Sequence, residues 1–169
     1  KKVEELEDKY EAYQFYLDAV KRDGVPYDLI TKALPTIEGE VNNILSQLVD
    51  FQMLFEMDGK NINNYIVYDD DNVWPLELSS GMERFISSLA IRVALINVSN
   101  LPRSNFLAID EGWGTMDSDN LNSVYSLFQY LKSQFQFTLI VSHIDSMRDA
   151  VDTLLEIKKE KDYSNINFG

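Results

Sequence analysis

The chain opens with apolar side chains at Val3, Leu6, Tyr10, Tyr13, Leu17 and Val20, at intervals alternating between three and four. That is the seam of a heptad repeat, flanked by Glu4, Glu5, Glu7, Asp8, Lys9 and Glu11. The pattern predicts the end of a coiled coil over residues 1–22, or a single amphipathic surface helix, which gives the same spacing over so few repeats. The chain starts without Met and inside this helical pattern, and so reads as a piece of something longer. Phe15 and Tyr16 lie off the seam, where the domain or a partner can meet them. Gly24 and Pro26 in RDGVPYD end the helix. A second helix is expected after Pro35, with Ile37, Val41, Ile44 and Leu48 on one face. Asp58-Gly59, flanked by apolar and aromatic residues in FQMLFEM and NINNYIVY, predicts a β-hairpin. Asp69, Asp70 and Asp71 read as a solvated acidic turn, because adjacent carboxylates in a loop rarely converge on a cation.

The pattern changes from Pro75. The loop PLELSSG leads into a long helix, Met82 to about Asn100, that is apolar almost all round and should be largely buried. Then follow a strand over Phe106–Ile109, a helix over Asp119–Gln134, a strand over Phe137–Val141, a short helix from Asp145 and a strand over Thr153–Ile157. Strand and helix alternate, and the strands are short unbroken apolar runs. This predicts an α/β fold, a mostly parallel sheet covered by helices, with residues 23–169 as one domain behind the coiled-coil end.

Composition narrows the function. The 28 acidic and 15 basic residues give a net charge of −13, which argues against a broad nucleic-acid-binding surface on this piece. A local basic patch, or a partner lobe that supplies one, remains compatible with it. The chain has no cysteine, hence no disulfide and no thiolate metal site. No apolar run reaches the roughly 18 residues of a membrane helix, since Arg92 interrupts Phe85–Val98.

Ligands of open α/β sheets gather at the carboxyl ends of strands. Two expected strands end in polar residues: one in Asp110-Glu111, the other in Ser142-His143, where His143 is the single histidine. On neighbouring strand ends these residues form a candidate site. Adjacent side chains on an extended chain face opposite ways. One carboxylate can therefore support a Mg²⁺ shell while the other orients and deprotonates a water, as phosphoryl transfer to water requires. Ser79, Ser80 and Gly81 stand at the expected start of the long helix. Serine caps helices, glycine admits close approach, and the exposed N–H groups suit an anion. A plain capping sequence, with Glu83 near the capping-box position, accounts for the same residues.

The order of LSSGMERF, FLAIDE, GWGTMD and IVSH resembles the C-terminal lobe of an ABC-type ATPase head. The likeness is to the SMC/SbcC kind, which carries long coiled coils in DNA repair and chromosome maintenance. In turn these segments look like the signature, the Walker B strand, the D-loop and the switch-histidine loop. GVPYDLITKALPTIEGEVNNIL is similar to the segment that leads such chains from coiled coil into head, so the resemblance runs from about Gly24 to Ile157. It implies ATP and Mg²⁺ as ligands. It further implies that Asp110 supports the metal shell, Glu111 acts as general base, and His143 contacts the γ-phosphate. Ser79, Ser80 and Gly81 would meet the nucleotide of an opposite head, and Asp117 would act across the interface. Met82 stands where Glu or Gln is usual, Ser80 where Gly is common, and Trp113 where Phe is usual.

A phosphate-cradling loop would read G-x-x-x-x-G-K-[ST]. The single Gly-Lys pair, Gly59-Lys60, has Leu54 at the first glycine position, so this sequence holds no such loop. In the family that loop lies in an N-terminal lobe beyond the coiled coil. The expected partners are therefore that lobe of the same protein, a second head in a homodimer, DNA, and a nuclease subunit at the coiled-coil base. The expected location is inside the cell, in cytoplasm or nucleoid, or in an infected host cell for a viral protein. The alternative is a non-catalytic acidic α/β interaction module on a coiled-coil stalk. Met82 favours it; Asp110, Glu111 and His143 oppose it.

Overall fold

The computed structural model describes residues 2–59, 61–110, 121–143, 145–161 and 163–168. Glu111 and Asp117 lie outside the described residues. Helix α1 (Lys2–Val20) is unbroken and buries no residue. Its whole apolar seam faces water, from Val3 at 67% exposure to Val20 at 52%. The chain then turns at Gly24, where an added Cβ would lie 2.5 Å from the Ala19 carbonyl oxygen and 2.6 Å from that of Asp18. Glycine is the residue this close approach admits.

Helix α2 spans Val25–Leu45, so it begins ten residues before the expected start at Pro35. Pro26 sits in its first turn, where a missing N–H forfeits no intrahelical bond. Pro35 lies inside the helix and removes one hydrogen bond there. The helix continues because Leu34, Val41, Ile44 and Leu45 beyond and beside the proline are buried on one face. Leu48, expected on that helix, lies in the following turn and is still buried.

Strands β1 (Gln52–Met57), β2 (Ile62–Asp69) and β3 (Asn72–Pro75) form an antiparallel sheet in that order. The expected hairpin is β1–β2, with Met57 opposite Ile62 and Gly59 at φ +89° in the loop. The acidic turn is solvated as expected, and it connects a second hairpin, β2–β3. Asp69 pairs with Asn72 across it, and its carboxylate accepts from the Asp71 N–H and the Asn72 side-chain amide. Those bonds, that of Asn72 foremost, hold the Asp69 carboxyl below its ordinary pKa. The outer edge of β1 is closed by α2. Asn42 donates to the Met53 carbonyl (2.9 Å) and accepts from the Met53 N–H (2.7 Å), and Glu38 accepts from the Phe55 N–H (2.8 Å). Helix side chains thus take the place of a further strand on an edge that would otherwise invite pairing.

Helix α3 (Gly81–Val98) buries Ile86, Ser87, Leu89, Ala90, Val93 and Ala94. It packs beside α2 and, with helix α4 (Leu121–Gln134), builds the core. From α4 and its end, Val124, Leu127, Phe128, Leu131 and Phe135 enter that core. Strands β4 (Phe106–Asp110) and β5 (Phe137–Val141) run parallel, as parallel strands joined through a crossover helix do. A 3-10 segment (Asp145–Ala150) leads to β6 (Leu155–Glu160) and β7 (Tyr163–Phe168). These last strands form a separate antiparallel ribbon, with the turn residue Lys161 at φ 51°. Only the first of them was expected, over Thr153–Ile157. The charged stretch EIKKEKD hides the alternation because both faces of this ribbon are largely wet.

Candidate functional site

The parallel pair places two of the expected site residues on one edge. Asp110 ends β4 directly opposite Val141, which ends β5, and Ser142 and His143 follow at once. Both side chains, Asp110 and His143, are exposed. Period-two alternation sorts the two strands into faces. Leu107, Ile109 and Ile140 turn toward the helices and pack on the core. Phe106, Ala108 and Asp110 share the opposite face with Phe137, Leu139 and Val141 of β5, and this face is open. One side of the pair thus meets the helices, as expected of a helix-covered sheet, and the other carries exposed apolar residues. Phe106 and Phe137 stack on it with centroids 5.5 Å apart and 13° between planes. Asp110 therefore stands at the rim of an open apolar face. An exposed carboxylate with hard oxygen donors fits a Mg²⁺ ion that keeps several of its waters.

The second expected segment, Ser79-Ser80-Gly81, begins α3 as predicted. Ser79 is buried, and its hydroxyl donates to the Leu76 carbonyl at 2.6 Å, closing a 3-10 turn (Leu76–Leu78). Ser80 is the N-cap in extended conformation (φ −62°, ψ 161°) and forms a full capping box with Glu83. The Glu83 N–H donates to the Ser80 hydroxyl at 3.2 Å, and the Ser80 N–H donates to Glu83 Oε2 at 2.6 Å. The other carboxylate oxygen, Oε1, accepts from the Tyr68 hydroxyl of β2 at 2.6 Å. Tyr68 lies between Phe51 (centroids 5.6 Å) and Trp74 (5.3 Å, stacked). A cleft of about 350 Å³ opens here, lined among others by Leu48, Phe51, Tyr68, Ser80, Met82 and Glu83. Glu83 was legible in the sequence as a capping residue. Tyr68 was not, because its partner is fixed only by tertiary contact.

Electrostatics make this linkage insensitive to pH near neutrality. Burial and then the Glu83 carboxylate push the Tyr68 hydroxyl up to about 12. For Glu83, partial burial works against the charged form, but hydrogen bonds from Tyr68 and Ser80 outweigh it and hold the carboxyl below its ordinary 4.5. A lowered carboxylate contributes stability above its unfolded pKa and loses it as pH falls through the folded value. A raised phenol contributes fully below its unfolded pKa, 10.0, and loses the contribution as pH rises toward about 12. The stability difference between wild type and Tyr68→Phe, measured by urea denaturation, should thus be flat from about pH 6 to 9 and shrink below about pH 4. A difference that changes across the neutral range would contradict this assignment.

Comparisons with known proteins bear on what the edge and the turn are for. The chain matches no protein-family model. It is 36% identical over 170 residues to the uncharacterized protein R555 of Acanthamoeba polyphaga mimivirus, covering 91% of this chain and 13% of that protein. It is 25% identical over 161 residues to the C subunit of the nuclease SbcCD of Bacillus subtilis, covering 88% of this chain and 14% of that protein. The Pyrococcus furiosus Smc head domain, solved with an extended coiled coil and bound to the C-terminal domain of ScpA, superimposes with a TM-score of 0.66 at 17% identity. That match covers 99% of this chain and 42% of the other. The chain is thus similar in sequence to the SbcCD C subunit and similar in fold to SMC head domains. It has the fold of their C-terminal lobe, entered through a coiled-coil-type helix. It spans about an eighth of the length of the mimivirus relative and a seventh of the Bacillus one, at 13% and 14%. Among the described residues no helix of this SMC/SbcC-like lobe is long and apolar enough to cross a membrane.

Proposed function

We propose that this lobe is half of an ATPase that binds and hydrolyses ATP at a composite site between two heads. An N-terminal P-loop lobe completes each head. One observation carries the reading: Asp110 ends β4 and His143 follows the end of the adjacent parallel β5, at the rim of an open apolar sheet face. A lobe that covers Phe106, Phe137, Leu139 and Val141 also closes over Asp110, bringing its nucleotide to the strand ends. In this reading Asp110 supports the Mg²⁺ shell through its carboxylate, Glu111 takes a proton from the attacking water, and His143 contacts the γ-phosphate. The bound Mg²⁺ supplies neutralisation of phosphate charge. Ser79, Ser80 and Gly81, with Asp117, serve the nucleotide of the opposite head.

Each nucleotide then touches the closed pair better than the open one, so ATP shifts the heads toward pairing and hydrolysis releases them. The exposed seam of α1 supports a coiled coil that carries this motion toward DNA and toward a nuclease subunit. The test is reconstitution with a separately expressed P-loop lobe. Mg²⁺-dependent phosphate release is expected from the combined lobes and not from this chain alone. A combined head that forms but binds no ATP would overturn the reading and favour an acidic interaction module.

A further inference from the structure

The signature turn is joined to the antiparallel sheet through one carboxylate. Glu83 Oε2 holds the Ser80 N–H and Glu83 Oε1 holds the Tyr68 hydroxyl, each at 2.6 Å. The Ser80 hydroxyl in turn holds the Glu83 N–H. A capping box alone would fix the turn relative to its own helix. The Tyr68 bond adds a second reference frame, β2, where the Tyr68 ring stacks on Trp74 and touches Phe51 at a tilt. Bonds to a charged acceptor are short and roughly twice as strong as neutral ones, so the two bonds accepted by the Glu83 carboxylate, with the longer Glu83 N–H bond to Ser80, leave the turn little freedom.

We infer that Tyr68 is a positioning residue for the signature turn. Its hydroxyl orients Glu83, and Glu83 sets the direction of the Ser79–Gly81 backbone that meets the nucleotide of an opposite head. This rests on the composite-site reading. It also explains the serine at position 80: its side chain closes the capping box, which a glycine could not do. The conformation it adopts there needs no glycine, since φ is −62°.

Tyr68→Phe in the assembled head, this lobe with its P-loop lobe, tests the inference. The variant keeps the ring and removes one hydroxyl. The ATP concentration for half-maximal head pairing is expected to rise about fivefold to tenfold, the net effect of losing one hydrogen bond at a half-exposed site. ATP binding by unpaired heads, made by the P-loop lobe, should not change. Glu83→Ala, which also removes the acceptor of the Ser80 N–H, should weaken pairing at least as much as Tyr68→Phe. Glu83→Gln should pair nearly as wild type, because its amide can accept from Ser80 and donate to the Tyr68 oxygen. Without nucleotide, hydrogen exchange at residues 80–83 should speed up in Tyr68→Phe, which reports the loosened turn independently of ATP. Unchanged pairing together with faster exchange overturns the positioning role, as does unchanged exchange. A pairing loss matched by an equal weakening of ATP binding to unpaired heads also overturns it. If the wild-type heads bind ATP but never pair, it is the composite-site reading that fails.

Discussion

Glu111→Gln in the assembled head is expected to leave ATP bound, stop its turnover and make paired heads accumulate. The amide is nearly the same shape as the carboxylate and can still hold a water, but it cannot take a proton from it. Loss of a general base lowers the rate by about 10²- to 10⁴-fold. In the proposed cycle hydrolysis releases the pair, so blocking it would leave ATP to stabilise the closed state. Phosphate release and the size of the particle, both followed with and without ATP, check the two halves of this expectation. Turnover at the wild-type rate would remove Glu111 from the mechanism. Asp110→Asn is the matched control: in the proposed role it would weaken Mg²⁺ binding and raise the Mg²⁺ concentration that turnover needs.

The open face of β4 and β5 provides the second large effect. Phe106→Asp combined with Phe137→Asp should prevent association with the P-loop lobe while leaving this lobe folded. The two rings stack on each other at 48% and 58% exposure, so replacing them empties no core. Burying the exposed half of two phenylalanines under a second lobe is worth about 1.5 to 3 kcal/mol. Its loss corresponds to an affinity drop of about 10- to 10²-fold, before the cost of burying two new carboxylates. Co-purification and titration calorimetry measure the association, and thermal melting of the lobe alone measures the control. Undiminished association would mean that the P-loop lobe binds elsewhere. A large fall in melting temperature would mean that this face belongs to the lobe's own core.

Much of the local order was legible in the sequence. The interval pattern from Val3 to Val20 defines an amphipathic helix whatever surrounds it, and Gly24 ends it because no Cβ fits against Ala19 and Asp18. Residues 137–141 are read as a strand and are one, and S-x-x-E at Ser80 and Glu83 is a capping box in fact. Such features follow from periodicity and from bonds between residues a few positions apart. Expectations that rested on single residues as punctuation fared less well. Pro35 was read as a helix boundary, yet the buried face running from Leu34 to Leu45 outweighs one missing hydrogen bond. The acidic turn was read as solvated and is so, but the strand β3 that it joins to β2 was not read from the sequence.

The candidate site divides in the same way. The sequence alone determined which chemistry was available: carboxylates and a histidine after apolar runs, and a serine-glycine segment opening a helix. That the two strands are neighbours, with Asp110 beside Val141 and hence near His143, is a fact of sheet order, which no local pattern encodes. The tertiary structure also decided that one face of those strands is open and that Tyr68, fifteen residues before Glu83, holds its carboxylate. Alternation along a strand marks two faces but not what covers either. A hydrogen bond between a strand and a distant helix start depends on how the sheet packs against that helix, and only the folded chain brings the two together.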